Sequence, residues 1–118
     1  MINLLVRYSS SLFKQRIHDD IAKYKVLMYS KTRCPFCKNA KNVFEHMEIK
    51  AQIFEIDSIE KGNDIFNALE EITNQSTVPN IFINGIHIGG FNDLISNLKE
   101  KKVQELLTQA KIPYKELG

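Results

Sequence analysis

From Lys25 to Ser30 the chain reads KVLMYS, a short apolar run with polar ends, which is the pattern of a buried strand. Apolar residues next recur at Ala40, Val43, Phe44 and Met47. That i, i+3, i+4, i+7 stripe predicts a helix opening near Cys34. A second strand is predicted over AQIFEID, residues 51–57. A second helix follows from the stripe Ile65, Ala68, Leu69 and Ile72, with Asn74 as its left-handed stop. The segment TVPNIFINGIHIGG, residues 77–90, holds two β-rich runs around Asn84-Gly85, the strongest short-range hairpin signal. Gly89-Gly90 closes the second run. Leu94, Ile95 and Leu98 make one further short helical face, and Val103, Leu106, Leu107 and Ala110 another. Ahead of all these, residues 11–22 predict a first amphipathic helix with Leu12, Phe13, Ile17 and Ile21 toward the core.

The order helix, strand, helix, strand, helix, hairpin, helices predicts an α/β domain with a four-stranded mixed sheet. The first two strands are expected to run parallel through a right-handed crossover, and helices are expected on both faces. The extra N-terminal helix precedes this unit. Residues 11–112 read as the domain, 1–10 as a flexible extension or targeting remnant, and 113–118 as a loose C-terminal tail.

Composition narrows the class without naming it. A chain of 118 residues is long enough for one modest core. Its 43% hydrophobic and 25% charged residues are ordinary globular usage, so no fibrous or disordered class is indicated. Net charge is +2, and no run of five or six like charges suggests a nucleic-acid tail. No segment approaches the roughly 18 apolar residues of a membrane span. The first eighteen residues contain no acid but carry Arg7, Lys14, Arg16 and the triple serine Ser9–Ser11. That is the composition of a mitochondrial-type transit peptide. The expected location is cytoplasmic, with a mitochondrial one as the alternative.

The chain holds two cysteines, Cys34 and Cys37, one helical turn apart with Pro35 between them. A structural disulfide, half of a metal site and a redox pair compete as explanations. Two cysteines are too few for a disulfide-stapled scaffold. A single C-x-x-C lacks the second half of a zinc ribbon, and His18, His46 and His87 are scattered, so no metal is expected. The pair lies where a strand turns into a helix, the setting of a thioredoxin-type redox motif. Unpaired N–H groups at the helix opening favour a thiolate there, and Lys31, Arg33 and Lys38 add positive charge. Pro35 suits the first helical position, where its missing N–H costs nothing. Cys34, ahead of the helix, is the expected exposed nucleophile. Cys37, one turn in, is the expected shielded resolving thiol. The plainer alternative is two small buried apolar residues at helical spacing.

CPFC after a strand, TVPNIFI some forty residues later and IGGFNDL after the hairpin together resemble a glutaredoxin of the dithiol class. The resemblance covers roughly residues 11–110. It implies a thioredoxin-like fold and a glutathione-dependent thiol–disulfide oxidoreductase. Its partners would be glutathione and glutathionylated or disulfide-bonded proteins, and it would act as a monomer with no nucleic-acid or membrane partner. Phe36 stands where the family usually has Tyr. Lys31 matches the lysine three residues before the first cysteine and would pair with a glutathione carboxylate. Thr77, Val78 and Pro79 match the segment with a cis proline, in which Val78 would offer its backbone to the cysteinyl group. Gly90, Asn92 and Asp93 fall in the Gly-Gly-x-x-Asp loop. There the helix N–H groups would take the γ-glutamyl carboxylate and Asp93 the α-ammonium; as plain helix caps, Asn and Asp have a second reading. The family often has Gln or Arg eleven residues before the Thr of Thr-Val-Pro. Phe66 occupies that position, so one carboxylate contact is missing or falls to Asn63 or Asn67. Phe91 replaces the small residue or cysteine common after Gly-Gly. Two rival functions are an iron–sulfur carrier ligated by glutathione, which Pro35 disfavours by stiffening the loop, and a non-catalytic binding module of the same fold.

Overall fold

A computed structural model describes the backbone of residues 2–117 and the side chains of residues 10–117. The elements run α1 (Ile2–Lys23), β1 (Val26–Ser30), α2 (Pro35–His46), β2 (Gln52–Glu55), α3 (Gly62–Thr73), β3 (Asn80–Ile83), β4 (Ile86–Gly89), α4 (Phe91–Lys99) and α5 (Lys102–Gln109). One sheet of order β2-β1-β3-β4 joins the four strands. β1 and β2 are parallel, with Leu27 opposite Gln52 and Ser30 opposite Glu55. β3 is antiparallel to both β1 and β4, which makes the sheet mixed as the element order predicts.

Every residue of β1 is buried, because helices cover both faces of this central strand. Successive side chains of a strand point to opposite faces, and the two cores divide accordingly. Val26 and Met28 pack with Ile81 and Ile83 against Ala40, Phe44 and Met47 of α2, Leu94 and Leu98 of α4, and Val103 and Leu107 of α5. Leu27 and Tyr29 pack with Phe82 against Ile17 of α1 and Ile65, Ala68 and Leu69 of α3. The Tyr29 hydroxyl, within this second core, donates to the Asp20 carboxylate at 2.9 Å and ties α1 to the central strand.

The local signals act where the pattern puts them. Asn84 and Gly85 both adopt positive φ (50° and 77°), the backbone that a two-residue hairpin turn requires. Asn74 caps α3 in the left-handed region at φ 63°. The predicted helix over 11–22 is part of the longer α1, Ile2–Lys23. The expectation of a separate extension over 1–10 falls chiefly on residues 1–9, whose side chains lie outside the described set. Leu12 is a correction: it is 54% exposed, whereas Ile17 is fully buried and Phe13 and Ile21 pack against the second core. Phe13, Ile17 and Ile21 follow an i, i+4, i+8 line, and Leu12 lies about 100° around the helix from its neighbour Phe13. The strand predicted over 51–57 is shortened to Gln52–Glu55 by a turn in which Ser58 N–H bonds the Glu55 carbonyl. The C-terminal tail is tied down, not loose: Tyr114 packs against the first core, and the Lys115 N–H donates to the Met47 carbonyl at 2.8 Å.

Candidate active site

β1 delivers the chain to the N-terminus of α2, and Cys34 is the N-cap there, with extended backbone (φ −119°, ψ 110°). Pro35 takes the first helical position. The Cys34 sulfur accepts the Cys37 N–H at 3.1 Å, so one of the unpaired donors of the helix opening points at it. The Cys34 carbonyl starts the helical ladder by accepting the Lys38 N–H. The loop before the helix is locked from the β2–α3 side. The Asp57 carboxylate accepts the Thr32 N–H (3.1 Å to each oxygen) and the Thr32 hydroxyl (2.7 Å). These bonds, the hydroxyl foremost, hold the Asp57 carboxyl below its ordinary range.

The two sulfurs have unlike surroundings. Cys34 is half-buried and opens to one side, while Cys37 is fully buried. Burial pushes the Cys37 thiol up to about 11, with the hydrogen bond to Cys34 adding to the rise and the Ser30 hydroxyl opposing it. At neutral pH Cys37 is therefore a thiol. Neither cysteine is in a disulfide.

Beside Cys34 runs a cleft of about 390 Å³ lined by Phe36, Gln75, Thr77, Val78, Pro79, Gly90, Phe91, Asn92 and Asp93. The Cys34 sulfur lies 3.7 Å from the Val78 carbonyl oxygen, which fixes the reactive atom beside this cleft. The Val78–Pro79 peptide is cis. Seven of the residues singled out from sequence thus line one cleft: Phe36, Thr77, Val78, Pro79, Gly90, Asn92 and Asp93. Lys31 stands apart from that lining. Its ammonium sits over the Phe66 ring, 4.4 Å from the centroid.

Each wall has its own supports. The Gln75 amide donates to the carbonyls of Thr77 (3.0 Å) and Pro79 (2.9 Å), bracketing Val78. Beneath it, the buried Asn80 donates to the Thr73 hydroxyl and accepts from the His87 ring at 2.7 Å. On the opposite wall the Asp93 carboxylate accepts the Gly90 N–H at 2.9 Å. Gly89 has φ +115°, and a Cβ there would stand 2.4 Å from the Asp93 carboxylate oxygen; only glycine fits. Phe36 and Phe91 meet across the rim, with ring centroids 6.2 Å apart. Sequence reasoning missed Gln75 and Asp57, and it gave Phe91 no part in the cleft. A glutamine two residues before Thr-Val-Pro and an aspartate just after the second strand carry no local signature: Gln75 acts through the geometry of its own turn, and the partner of Asp57 is Thr32, far back along the chain.

A thioredoxin-like sheet that directs the first sulfur of a C-x-x-C pair toward a cleft, with the second sulfur sealed behind it, defines a dithiol oxidoreductase. Comparison with known proteins agrees. The Glutaredoxin family model matches residues 26–88. Glutaredoxin-C6 of Oryza sativa subsp. japonica is 42% identical over 92 residues, 78% of this chain and 82% of that protein. Glutaredoxin-C4 of Arabidopsis thaliana is 35% identical over 106 residues, 90% of this chain and 78% of that one. The crystal structure of a buckwheat glutaredoxin–glutathione complex superposes with a TM-score of 0.86 at 29% identity, covering 90% of this chain and 96% of that one. The chain belongs to the glutaredoxin family and is a glutathione-dependent thiol–disulfide oxidoreductase.

Proposed function

We propose that the cleft seats glutathione and that Cys34 exchanges it with glutathionylated proteins and small disulfides. The Cys34 thiolate attacks the glutathione sulfur of a mixed disulfide. The partner leaves as its thiolate and takes up a proton, and Cys34 becomes glutathionylated. A second glutathione thiolate then attacks the bound glutathione sulfur, releasing oxidised glutathione and restoring Cys34. Alternatively, Cys37 loses its proton and attacks the Cys34 sulfur, expelling glutathione and closing an internal disulfide that two further glutathiones reduce.

The observation carrying this reading is the 3.7 Å separation of the Cys34 sulfur from the Val78 carbonyl. A peptide lying extended along Val78 pairs with its N–H and C=O as one strand pairs with another, which brings a cysteinyl sulfur to Cys34. The N–H groups that open α4 at Phe91, Asn92 and Asp93 suit a carboxylate. The exposed Asp93 carboxylate beside them suits an ammonium, so together they match the zwitterionic end of a γ-glutamyl group. Lys31 supplies positive charge for the other carboxylate. The buckwheat relative was crystallised with glutathione, which supports the same ligand here. The test is glutathione-coupled reduction of a small glutathione mixed disulfide by the wild type, Cys34→Ser and Cys37→Ser. Activity in the wild type and Cys37→Ser, with none in Cys34→Ser, supports the assignment. Equal loss in both variants rules out the route through a second glutathione.

A further inference from the structure

Lys31 leaves β1 three residues before Cys34 and is half-buried. Among the described residues no carboxylate lies within ion-pair distance of its ammonium. The nearby Asp57 is already engaged by both donors of Thr32. The ammonium instead rests on the Phe66 ring at 4.4 Å, within the range where the face of an aromatic ring attracts a cation. Phe66 is itself fixed. It projects from α3, and it packs against the core of Ile65, Leu69 and Tyr29 that also carries Val78.

We propose that Phe66 is the positioning residue for the carboxylate end of the substrate: its ring holds the Lys31 ammonium beside the Val78 wall, so that one prearranged cation reads that carboxylate. This rests on the glutathione reading above. A phenyl ring cannot itself donate to a carboxylate, so Phe66 acts only through Lys31. A free lysine must surrender rotamer freedom when it binds an anion. Held against a ring, Lys31 has given up much of that freedom beforehand. Lys31 is only half-buried, so its ammonium still reaches solvent and an anion in it, and the shared core fixes the ring relative to Val78. Recognition at this end of the cleft therefore depends on a single charge and has no second polar side chain at position 66 to replace it.

The test compares the wild type, Phe66→Leu, Phe66→Tyr, Lys31→Met and the double variant Lys31→Met/Phe66→Leu. Two substrates are used: a small-thiol mixed disulfide of glutathione, and the same compound with its glycine carboxylate converted to an amide. Phe66→Leu keeps an apolar side chain of similar bulk but no ring quadrupole. It should raise KM for the acid about three- to fivefold, with kcat changed less than about twofold, while Phe66→Tyr stays near wild type. The preference for acid over amide should shrink in Phe66→Leu and vanish in Lys31→Met. The double variant should be no worse than Lys31→Met alone, because the ring acts through the lysine. Equal acid-to-amide preference in the wild type and Phe66→Leu overturns the proposal, as do additive losses in the double variant. Should Phe66→Leu fail to fold, Phe66→Met with the same acid-to-amide ratio decides the matter. A wild type with no glutathione-coupled activity would instead refute the functional reading on which this rests.

Discussion

Two regions near Cys34 are built on different principles. The side formed by Thr77–Pro79 and Gly90–Asp93 offers backbone. Val78 presents peptide groups, α4 presents its opening N–H groups, and the glycines let the chain come close. The Lys31–Phe66 pair, outside the lining of the cleft, offers side chains, an ammonium resting on a ring. A backbone wall demands particular residues: a proline at the strand entrance, a glycine at positive φ, an aspartate to cap. A side-chain wall demands only a charge in the right place, and several residues can hold it there.

Both sides serve one sulfur, so the largest effect removes what they share. Cys34→Ser should lower glutathione-coupled activity by on the order of 10³-fold or more, since a serine hydroxyl is not ionised at neutral pH; steady-state rates on a small mixed disulfide measure this. Gly89→Ala attacks the backbone side. The new methyl meets the Asp93 carboxylate at 2.4 Å and is held at φ +115°, which should cost about 1–3 kcal/mol in stability. Because Asp93 must swing away from the Gly90 N–H, KM for the glutathione substrate should rise as well. Thermal unfolding and kinetics together read the two effects, and unchanged KM in a folded Gly89→Ala protein would separate that loop from ligand binding.

The two sulfurs can be contrasted by pH. Burial holds Cys37 up to about 11, well above a free thiol. In the mixed disulfide the contribution of the Cys34 thiol disappears, but burial remains, so Cys37 still ionises late. Below about pH 8.5 both closure of the internal disulfide and release by glutathione should accelerate with pH, but between about pH 9 and 10.5 closure should go on rising about tenfold per unit while release by glutathione levels off, that thiol being already ionised. Quench-trapping the glutathionylated and internally oxidised forms across this range gives the ratio, and a flat ratio contradicts the buried-thiol account. The same shift has a stability counterpart. A folded-state value above the unfolded one stabilises the fold fully below about pH 9, and this contribution is lost as pH climbs toward 11. The smallest expected effect is Asp93→Ala, which removes the acceptor of the Gly90 N–H and should cost about 1 kcal/mol as a lost helix cap, measured by denaturant unfolding.

Legibility in the sequence follows the same division. The unbroken apolar run in KVLMYS specifies a strand buried on both faces: Val26 and Met28 enter one core and Leu27 and Tyr29 the other. Asn84-Gly85 and Asn74 announce their positive φ through their identities. Cys34 and Cys37 sort into open and sealed sulfurs by their place at a helix start. Where the pattern was ambiguous, the tertiary structure decided. Leu12 and Phe13 are adjacent apolar residues at the edge of a stripe, and the direction in which α1 packs on α3 buries the second and leaves the first in solvent. Gln75 holding the carbonyls of Thr77 and Pro79, Asp57 holding Thr32, and Phe91 facing Phe36 depend on turn geometry or on chain segments brought together by folding, which no local window reveals.

The depth of Cys37 also bears on damage. Among the described residues an oxidant in solution meets one accessible sulfur, Cys34, and first converts it to a sulfenic acid. Cys37, whose own N–H touches that sulfur at 3.1 Å, stands ready to condense with it and expel water. That diverts Cys34 into a reducible disulfide before peroxide can carry it on to the irreversible sulfinic and sulfonic acids. A thiol kept out of solvent is thus a spare that survives the attack and repairs its neighbour.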